Sequence, residues 1–323
     1  MGTLLAMMGA VVLAGSGAQL PRLEVAESPA LASPYAINMS YWQANGDPAP
    51  TRITVRVPEA YGFTPGADGA APGTTVGFNQ IQLNPPIGEY GATGPLTMED
   101  KRAFAGEGLT CTGGATEDAV WVAHIGYPSG VIPVPIFVNG RDFTVCPDAT
   151  RLGGTMTLFG LQLGLVGDAV HHSLLTGPKQ RGTYVWSATV ARAGAATIEV
   201  RSVVDLPQRA TFTASVSLGR VRIIGRVTAN GRGVGGVRIQ ADAVRRRTRG
   251  FEPAFHARTR ASGRFTITHH VGRGTFYVRL RAYRDAVTSG NCGGHSPVPG
   301  GCVSTTRNAF GLAGIPAAVR IHS

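Results

Sequence analysis

The residues of this 323-residue chain that are best suited to chemistry are clustered arginines. A planar guanidinium group matches the oxygen geometry of phosphate and carboxylate groups, so such a cluster predicts a polyanion site. A run of like charge is also compatible with a loop that does no more than stay solvated. The cluster consists of Arg245, Arg246, Arg247, Arg249, Arg258 and Arg260.

Charge is distributed unevenly along the chain. From Arg220 to the end there are eighteen arginines and three acidic residues, a net charge of +15; the whole chain carries +11, which leaves −4 for the residues before Arg220. Exposed charges act together through a field that salt screens, so the two parts should differ in their affinity for anions.

Three tryptophans suggest a second kind of site. Exposed aromatic rings on a β-sandwich can stack on sugars, and Trp42, Trp121 and Trp186 are the candidates for a carbohydrate site. Large aromatic side chains usually bury most of their area, so a core position is the competing interpretation.

Four cysteines form an even set in a chain that we expect to be exported, where disulfides persist. We predict the pairs Cys111–Cys146 and Cys292–Cys302, because each closes a modest loop within one predicted domain. The sequence contains no C-x-x-C, and a structural zinc site would need such closely spaced ligands. We expect no metal.

The sequence contains motifs that resemble cofactor or catalytic sites, but the residues around them do not fit such sites. Gly231, Gly233 and Gly236 spell G-x-G-x-x-G, but the residues that follow read as a strand, whereas a dinucleotide site needs a helix there. The histidines show no ligand spacing, and no nucleophile, acid or base is indicated. The sequence therefore predicts a protein that is not an enzyme and has no cofactor.

The first eighteen residues resemble an export signal. An apolar run from Leu4 to Ala14 is followed by small residues up to Ala18, as in a signal peptide cleaved after residue 18. A buried apolar strand is the alternative. No later run is long enough to span a membrane, so after cleavage we expect an extracellular or cell-surface protein without a transmembrane segment.

Short segments with alternating apolar and polar residues recur from Arg52 onwards, with Gly and Pro between them, and predict an all-β fold. We expect two antiparallel β-sandwich domains, 19–218 and 219–323. The segment from Gly91 to Pro95 reads as a loop, and Thr97 with Asp100 predicts one short helix over Met98–Phe104.

The last third resembles the carboxypeptidase-regulatory-type, transthyretin-like immunoglobulin modules. In that family a G-x-V strand leads into a glycine-rich hairpin, a T-x-x-x-G-x-F turn and a G-x-Y-x-V strand. The resemblance implies an immunoglobulin-like fold and a non-catalytic appendage. The matching residues are Gly225, Val227, Gly231, Val234, Gly236, Val237, Ile239, Thr259, Gly263, Phe265, Ile267, Gly274, Phe276 and Val278.

The part before this module looks similar to secreted actinobacterial proteins without an assigned activity, through stretches such as VWVAHIGYPSGVIPVPIFVNG. Taken together, the sequence predicts an exported, non-catalytic structural or adhesive protein of the cell surface. Its expected partner is an anionic wall polymer, a polysaccharide or a surface protein, with no specific nucleic acid. A carbohydrate-binding protein is the alternative, and a secreted hydrolase is the third possibility.

Overall fold

We describe the protein from a computed structural model. The structure describes residues 20–27, 32, 34, 37–67, 69–84, 90–127, 130–164, 173–206, 209–217, 220–229, 231–244, 252–270, 275–284, 286–290, 302–307, 310–312 and 319–322. The predicted signal peptide, Cys292 and the run Arg245 to Arg249 lie outside these residues.

The chain is mostly β. The strands up to residue 206 are β1 (Arg22–Ala26), β2 (Ile37–Trp42), β3 (Pro50–Arg56), β4 (Gly62–Phe63), β5 (Thr75–Asn84), β6 (Tyr90–Glu99), β7 (Ala119–Tyr127), β8 (Gly130–Asn139), β9 (Asp142–Val145), β10 (Thr155–Leu163), β11 (Leu175–Thr176), β12 (Gly182–Arg192) and β13 (Ala195–Leu206). A 3-10 turn (Lys101–Phe104) leads into helix α1 (Ala105–Thr112), and α2 (Ala149–Leu152) is a single turn.

The remaining strands are β14 (Arg209–Ser217), β15 (Arg220–Ala229), β16 (Arg232–Gly233), β17 (Arg238–Val244), β18 (Glu252–Arg258), β19 (Arg264–His270), β20 (Thr275–Arg284), β21 (Val287–Gly290), β22 (Cys302–Arg307), β23 (Phe310–Leu312) and β24 (Val319–His322). No helix within the described ranges is long and apolar enough to cross a membrane.

The first region is one large sheet of thirteen strands. Its order is β1-β2-β10-β5-β6-β7-β8-β9-β3-β12-β13-β22-β21, and its described pairings are antiparallel except for the parallel pair β13 and β22. Strand β1 also contacts β13 and β22, so the two ends of the strand order meet. The alternation in these strands points one set of side chains inward, where they form the larger hydrophobic core.

The prediction was wrong for residues 91–99, whereas residues 101–104 form a helical turn within the predicted Met98–Phe104. The segment Gly91–Pro95 is part of strand β6, and the predicted helix starts only after Asp100, whose side chain caps the 3-10 turn by accepting from the Arg102 amide. Gly94 permits close approach to the neighbouring strand, because a Cβ there would collide with the carbonyl oxygen of His124. Gly94, one of the glycines that suggested a loop, therefore serves close packing between strands, whereas a Cβ at Gly91 would meet no neighbour.

The predicted disulfide Cys111–Cys146 is confirmed, with Cα atoms 5.8 Å apart. It ties α1 to the residue after β9 and lies beside a small buried cluster that includes Val120 and Phe137. Cys302 also belongs to a disulfide. Because Cys292 lies outside the described residues, the second predicted pair stays a prediction.

The second region consists of two smaller sheets. In one, β15 pairs with β14, β16 and β19; in the other, β17 and β20 are central, with β18, β23 and β24 beside them. Both sheets contribute to one separate hydrophobic core, with Ile223 and Ile267 from the first sheet and Ile239 and Leu280 from the second. This core is distinct from that of the thirteen-stranded sheet.

Two C-terminal strands depart from the predicted division into 19–218 and 219–323. Strands β21 and β22 follow β20 in the chain, yet β22 pairs with β13 and β21 pairs with β22, so both extend the large sheet. The last third of the chain thus contributes strands to both regions. Sequence patterns do not reveal such a pairing, because β13 and β22 are about a hundred residues apart.

Candidate functional site: the arginine surfaces

Of the six arginines in the predicted polyanion cluster, the structure describes two. Arg258 ends strand β18 and Arg260 follows it, and both are exposed. The four arginines between 245 and 249 lie outside the described residues, so their predicted role stays a prediction.

A row of arginines that the sequence analysis did not single out lies on the outer face of β15. Val221, Ile223 and Val227 point into the core, and alternation places Arg220, Arg222 and Arg226 on the opposite, exposed face. The neighbouring strand adds Arg264, which is exposed and directly opposite Arg226. We call the surface formed by Arg220, Arg222, Arg226 and Arg264 the arginine face.

The four arginines are surrounded by uncharged side chains, which are polar except for Ile224. Exposed threonine, serine and histidine side chains lie on both flanking strands, and Ile224 at the centre is 41% exposed. No acidic residue occurs in the described parts of β14, β15, β16 or β19. The flanking side chains are Thr211, Thr213, Ser215, Thr266, Thr268 and His270.

The hydrogen bonds on the arginine face leave its charge uncompensated. Arg220 Nε donates to His270 Nε2 at 3.0 Å, and Arg226 Nε donates to the carbonyl oxygen of Ser262 at 3.1 Å. None of the four arginines forms an ion pair with a carboxylate among the described residues. Like charges directly opposite on a sheet repel, so Arg226 and Arg264 create a local excess that an anion would relieve.

A second arginine site is a cavity of about 460 Å³ beside the large sheet. Three strands end at it with an arginine: β18 with Arg258, β20 with Arg284 and β22 with Arg307. The rest of the lining is apolar or carries hydroxyl groups. It consists of Val203, Gly235, Gly236, Val287, Ser289 and Thr305.

Asp205 forms ion pairs with two of these arginines, Arg284 and Arg307. Arg284 Nη2 and Arg307 Nη1 both donate to Asp205 Oδ2 at 2.8 Å, and Thr183 donates to Oδ1 at 2.8 Å. The Asp205 and Arg284 side chains are 3% and 6% exposed, whereas Arg307 is half exposed. Burial lowers the pKa of Arg284 below its ordinary value, and the contact with Asp205 opposes that shift.

One wall of the cavity is held by Thr259, which is buried. Its Oγ1 donates to the Val234 carbonyl at 2.8 Å and accepts from the Val237 amide at 2.9 Å, and the Gly236 amide donates to its carbonyl at 3.1 Å. Gly236 has a φ of 74°, which favours glycine there. The turn between β16 and β17 is therefore fixed. The residues after the G-x-G-x-x-G form strand β17, as predicted, and not the helix that a dinucleotide site needs.

The tryptophan prediction is wrong for two of its three residues. Trp121 and Trp186 are both 0% exposed and belong to the same large core, so neither can stack on a sugar from solvent. The Trp121 indole N–H donates to the Pro65 carbonyl at 2.8 Å. Trp42 is half-buried, with the Arg22 guanidinium 4.8 Å from its ring centre. Trp121 and Trp186 therefore build the core and are inaccessible to a ligand, whereas Trp42 lies outside that core.

An unusual acid lies at the end of β1. Tyr61 Oη donates to Glu27 Oε1 at 2.5 Å, and Trp186 packs edge-on against the Tyr61 ring at 5.1 Å. Burial raises the pKa of Glu27 to about 8, although the bond from Tyr61 opposes this. Burial and the nearby Glu27 also raise the pKa of Tyr61 above its usual range. We expect this pair to make the stability of the fold depend on pH.

The described residues do not form a metal centre, because no three of their His, Cys, Asp or Glu side chains come together in a way that could hold an ion. The features that distinguish this mostly β protein are thus the arginine face of its second region and the arginine-lined cavity, whose lining comes from both regions. Comparison of the chain with protein-family models and with curated proteins gives no match.

Proposed function

We propose that this protein is an exported, non-catalytic protein of the cell surface whose basic, immunoglobulin-like C-terminal module binds an anionic polymer through the arginine face. Two sheets around one small core support the immunoglobulin-like assignment. So do the glycines of the motif: Gly263 has a φ of 74°, and a Cβ there would collide with the Val227 carbonyl. The apolar leader and the disulfide support export.

The observation that carries the proposal is the arrangement of the arginines. Alternate residues of a strand are about 7 Å apart, so Arg220, Arg222 and Arg226 span about 20 Å in one line. A small anion would reach one or two of them, whereas an extended polymer lying along the strand would contact all. Hydroxyl groups on both sides can donate to the same polymer.

The experiment is a binding measurement on the full chain with fluorescein-labelled polyphosphate, followed by anisotropy. Replacing Arg220, Arg222, Arg226 and Arg264 with Ser should weaken binding roughly tenfold or more, because each lost contact reduces the counterions released. All four side chains are exposed, so the variant should keep its fold.

The matched control replaces four exposed arginines of the first region, Arg52, Arg102, Arg181 and Arg201, with Ser. It changes the net charge equally and should retain most of the affinity. Equal losses in both variants would mean that net charge alone attracts the polymer, and the arginine face would lose its role.

A further inference from the structure

The cavity at the ends of β18, β20 and β22 carries more positive charge than its surroundings compensate. Among the described residues, three arginines line it and no lining residue is acidic. The Asp205 carboxylate accepts from both Arg284 and Arg307. These described groups set one carboxylate against three guanidinium groups, a net charge of +2.

Arg258 adds the charge that is free to act on a ligand. The Arg258 side chain lines the cavity, is exposed to solvent and makes no ion pair with a described residue. Arg307 is half exposed and keeps donors on the side away from Asp205, because a guanidinium group has five N–H donors. Two cations from different strands thus face the same space.

The remaining lining fits a molecule larger than a bare ion. Ser289 and Thr305, which are paired across β21 and β22, supply hydroxyl groups, while Val203 and Val287 supply apolar surface. A volume of about 460 Å³ falls within the ordinary range of small-molecule sites. The wall fixed by Thr259 makes the cavity preformed, which reduces the entropy lost on binding.

We propose that this cavity binds a molecule through one oxyanion group, a phosphate or a sulfate, held between Arg258 and Arg307. The site is separate from the arginine face, since its three arginines lie on other strands. It does not depend on the polymer-binding function.

The test uses inorganic phosphate and sulfate as probes on the full chain, measured by the shift in unfolding temperature against sodium chloride at equal ionic strength. Both dianions should stabilise the protein in a saturable way, and acetate should do so less. A stabilisation equal to that of chloride would overturn the proposal.

Two pairs of variants locate the site. Arg258→Ser should weaken phosphate binding about tenfold, the loss expected for one charge-assisted contact, whereas Arg260→Ser, two residues further along the chain, should leave it unchanged.

Val287→Asp places a carboxylate in the lining and should abolish binding. Val131→Asp is its control, because Val287 and Val131 are 60% and 62% exposed and both side chains tolerate water. Equal effects within either pair would contradict the proposed location.

The same variants distinguish a free ligand from a group carried by the polymer. If Arg258→Ser weakens binding of phosphate but not of polyphosphate, the ligand is a separate small molecule. If it weakens both, the oxyanion belongs to the polymer. The quadruple Ser variant of the arginine face should bind inorganic phosphate normally, so failure of one proposal leaves the other standing.

Discussion

The two regions of the molecule are stabilised by different side chains. The core of the large sheet contains Trp121, Trp186, Tyr41 and Phe143, whereas the core of the second region is built from Val, Ile, Ala and Leu, with Phe265 as its fully buried aromatic ring among the described residues. Large rings bury more apolar area per residue, so the first region should tolerate more surface change than the second.

The two regions also differ in how far the charge of their exposed arginines is balanced by carboxylates. In the first region exposed arginines lie near carboxylates, as Arg56 does near Asp142 and Arg201 near Glu199. On the arginine face, no carboxylate among the described residues forms such a pair. The region with the smaller core thus carries the arginine face, whose positive charge no described carboxylate compensates. Such a cost in stability is expected if the surface serves binding.

The largest effect should come from the aromatic core. Trp186→Ala removes a fully buried ring that packs edge-on against Tyr61 and should lower the free energy of unfolding by about 3–5 kcal/mol. Urea unfolding measures this loss. Polyphosphate binding by the folded variant should stay normal. A loss below about 1 kcal/mol would mean that the ring is not part of the core.

Breaking the link between the regions should have a similar effect. Asp205→Asn leaves Arg284 buried without its carboxylate and should cost about 3–5 kcal/mol in unfolding free energy. Asp100→Asn, at an exposed pair with Arg102, is the control and should give no measurable change. If the two variants unfold alike, Asp205 does not stabilise the contact between the large sheet and the end of β20.

The stability of the first region should also depend on pH through Glu27. Glu27 keeps its proton in the folded protein up to about pH 8 but releases it near 4.5 when unfolded. The folded state therefore holds more protons between these values, and its stability falls as the pH rises through this window, by at most about 1.4 kcal/mol per unit.

Glu27→Gln should remove this slope, and urea unfolding of both proteins at pH 5, 6, 7 and 8 would reveal it. The difference between the two isolates Glu27 from every other titrating group. Identical pH profiles would show that Glu27 is ionised in the folded protein.

The smallest effect concerns the repulsion on the arginine face. Arg264→Thr relieves the like charge opposite Arg226 and should raise the unfolding free energy by about 0.2–1 kcal/mol at low salt, with the gain lost in concentrated salt. Arg56→Thr, near Asp142, should bring no gain. A gain that persists in concentrated salt would assign the effect to strand propensity instead of charge.

Local patterns were enough to predict much of the fold. The alternation of apolar and polar residues that predicts strands from Arg52 onwards is present in β10, β15 and β19, because burial of one face of a strand leaves this pattern in the sequence. Strand β22 escaped prediction because its partner β13 is distant in sequence. The helix was misplaced because Met98 is buried in a strand opposite Trp121.

The candidate sites divide in the same way. Arg222 and Arg226 alternate with Val and Ile in the sequence, so the arginine face could be predicted from this pattern. The arginines after Val244 are consecutive and are the more conspicuous cluster in the sequence. The cavity was not predictable. Arg284 and Arg307 lie 79 and 102 residues from Asp205, and only the fold brings these side chains together.

The most direct test of polymer binding by the arginine face is the salt dependence of polyphosphate affinity, measured from about 50 to 200 mM salt for the full chain and its quadruple Ser variant. Four lost contacts to a single-stranded polyanion should reduce the slope of log K against log salt by about 3. An unchanged slope would contradict the account. In that case the arginines from 245 to 249 become the residues to replace.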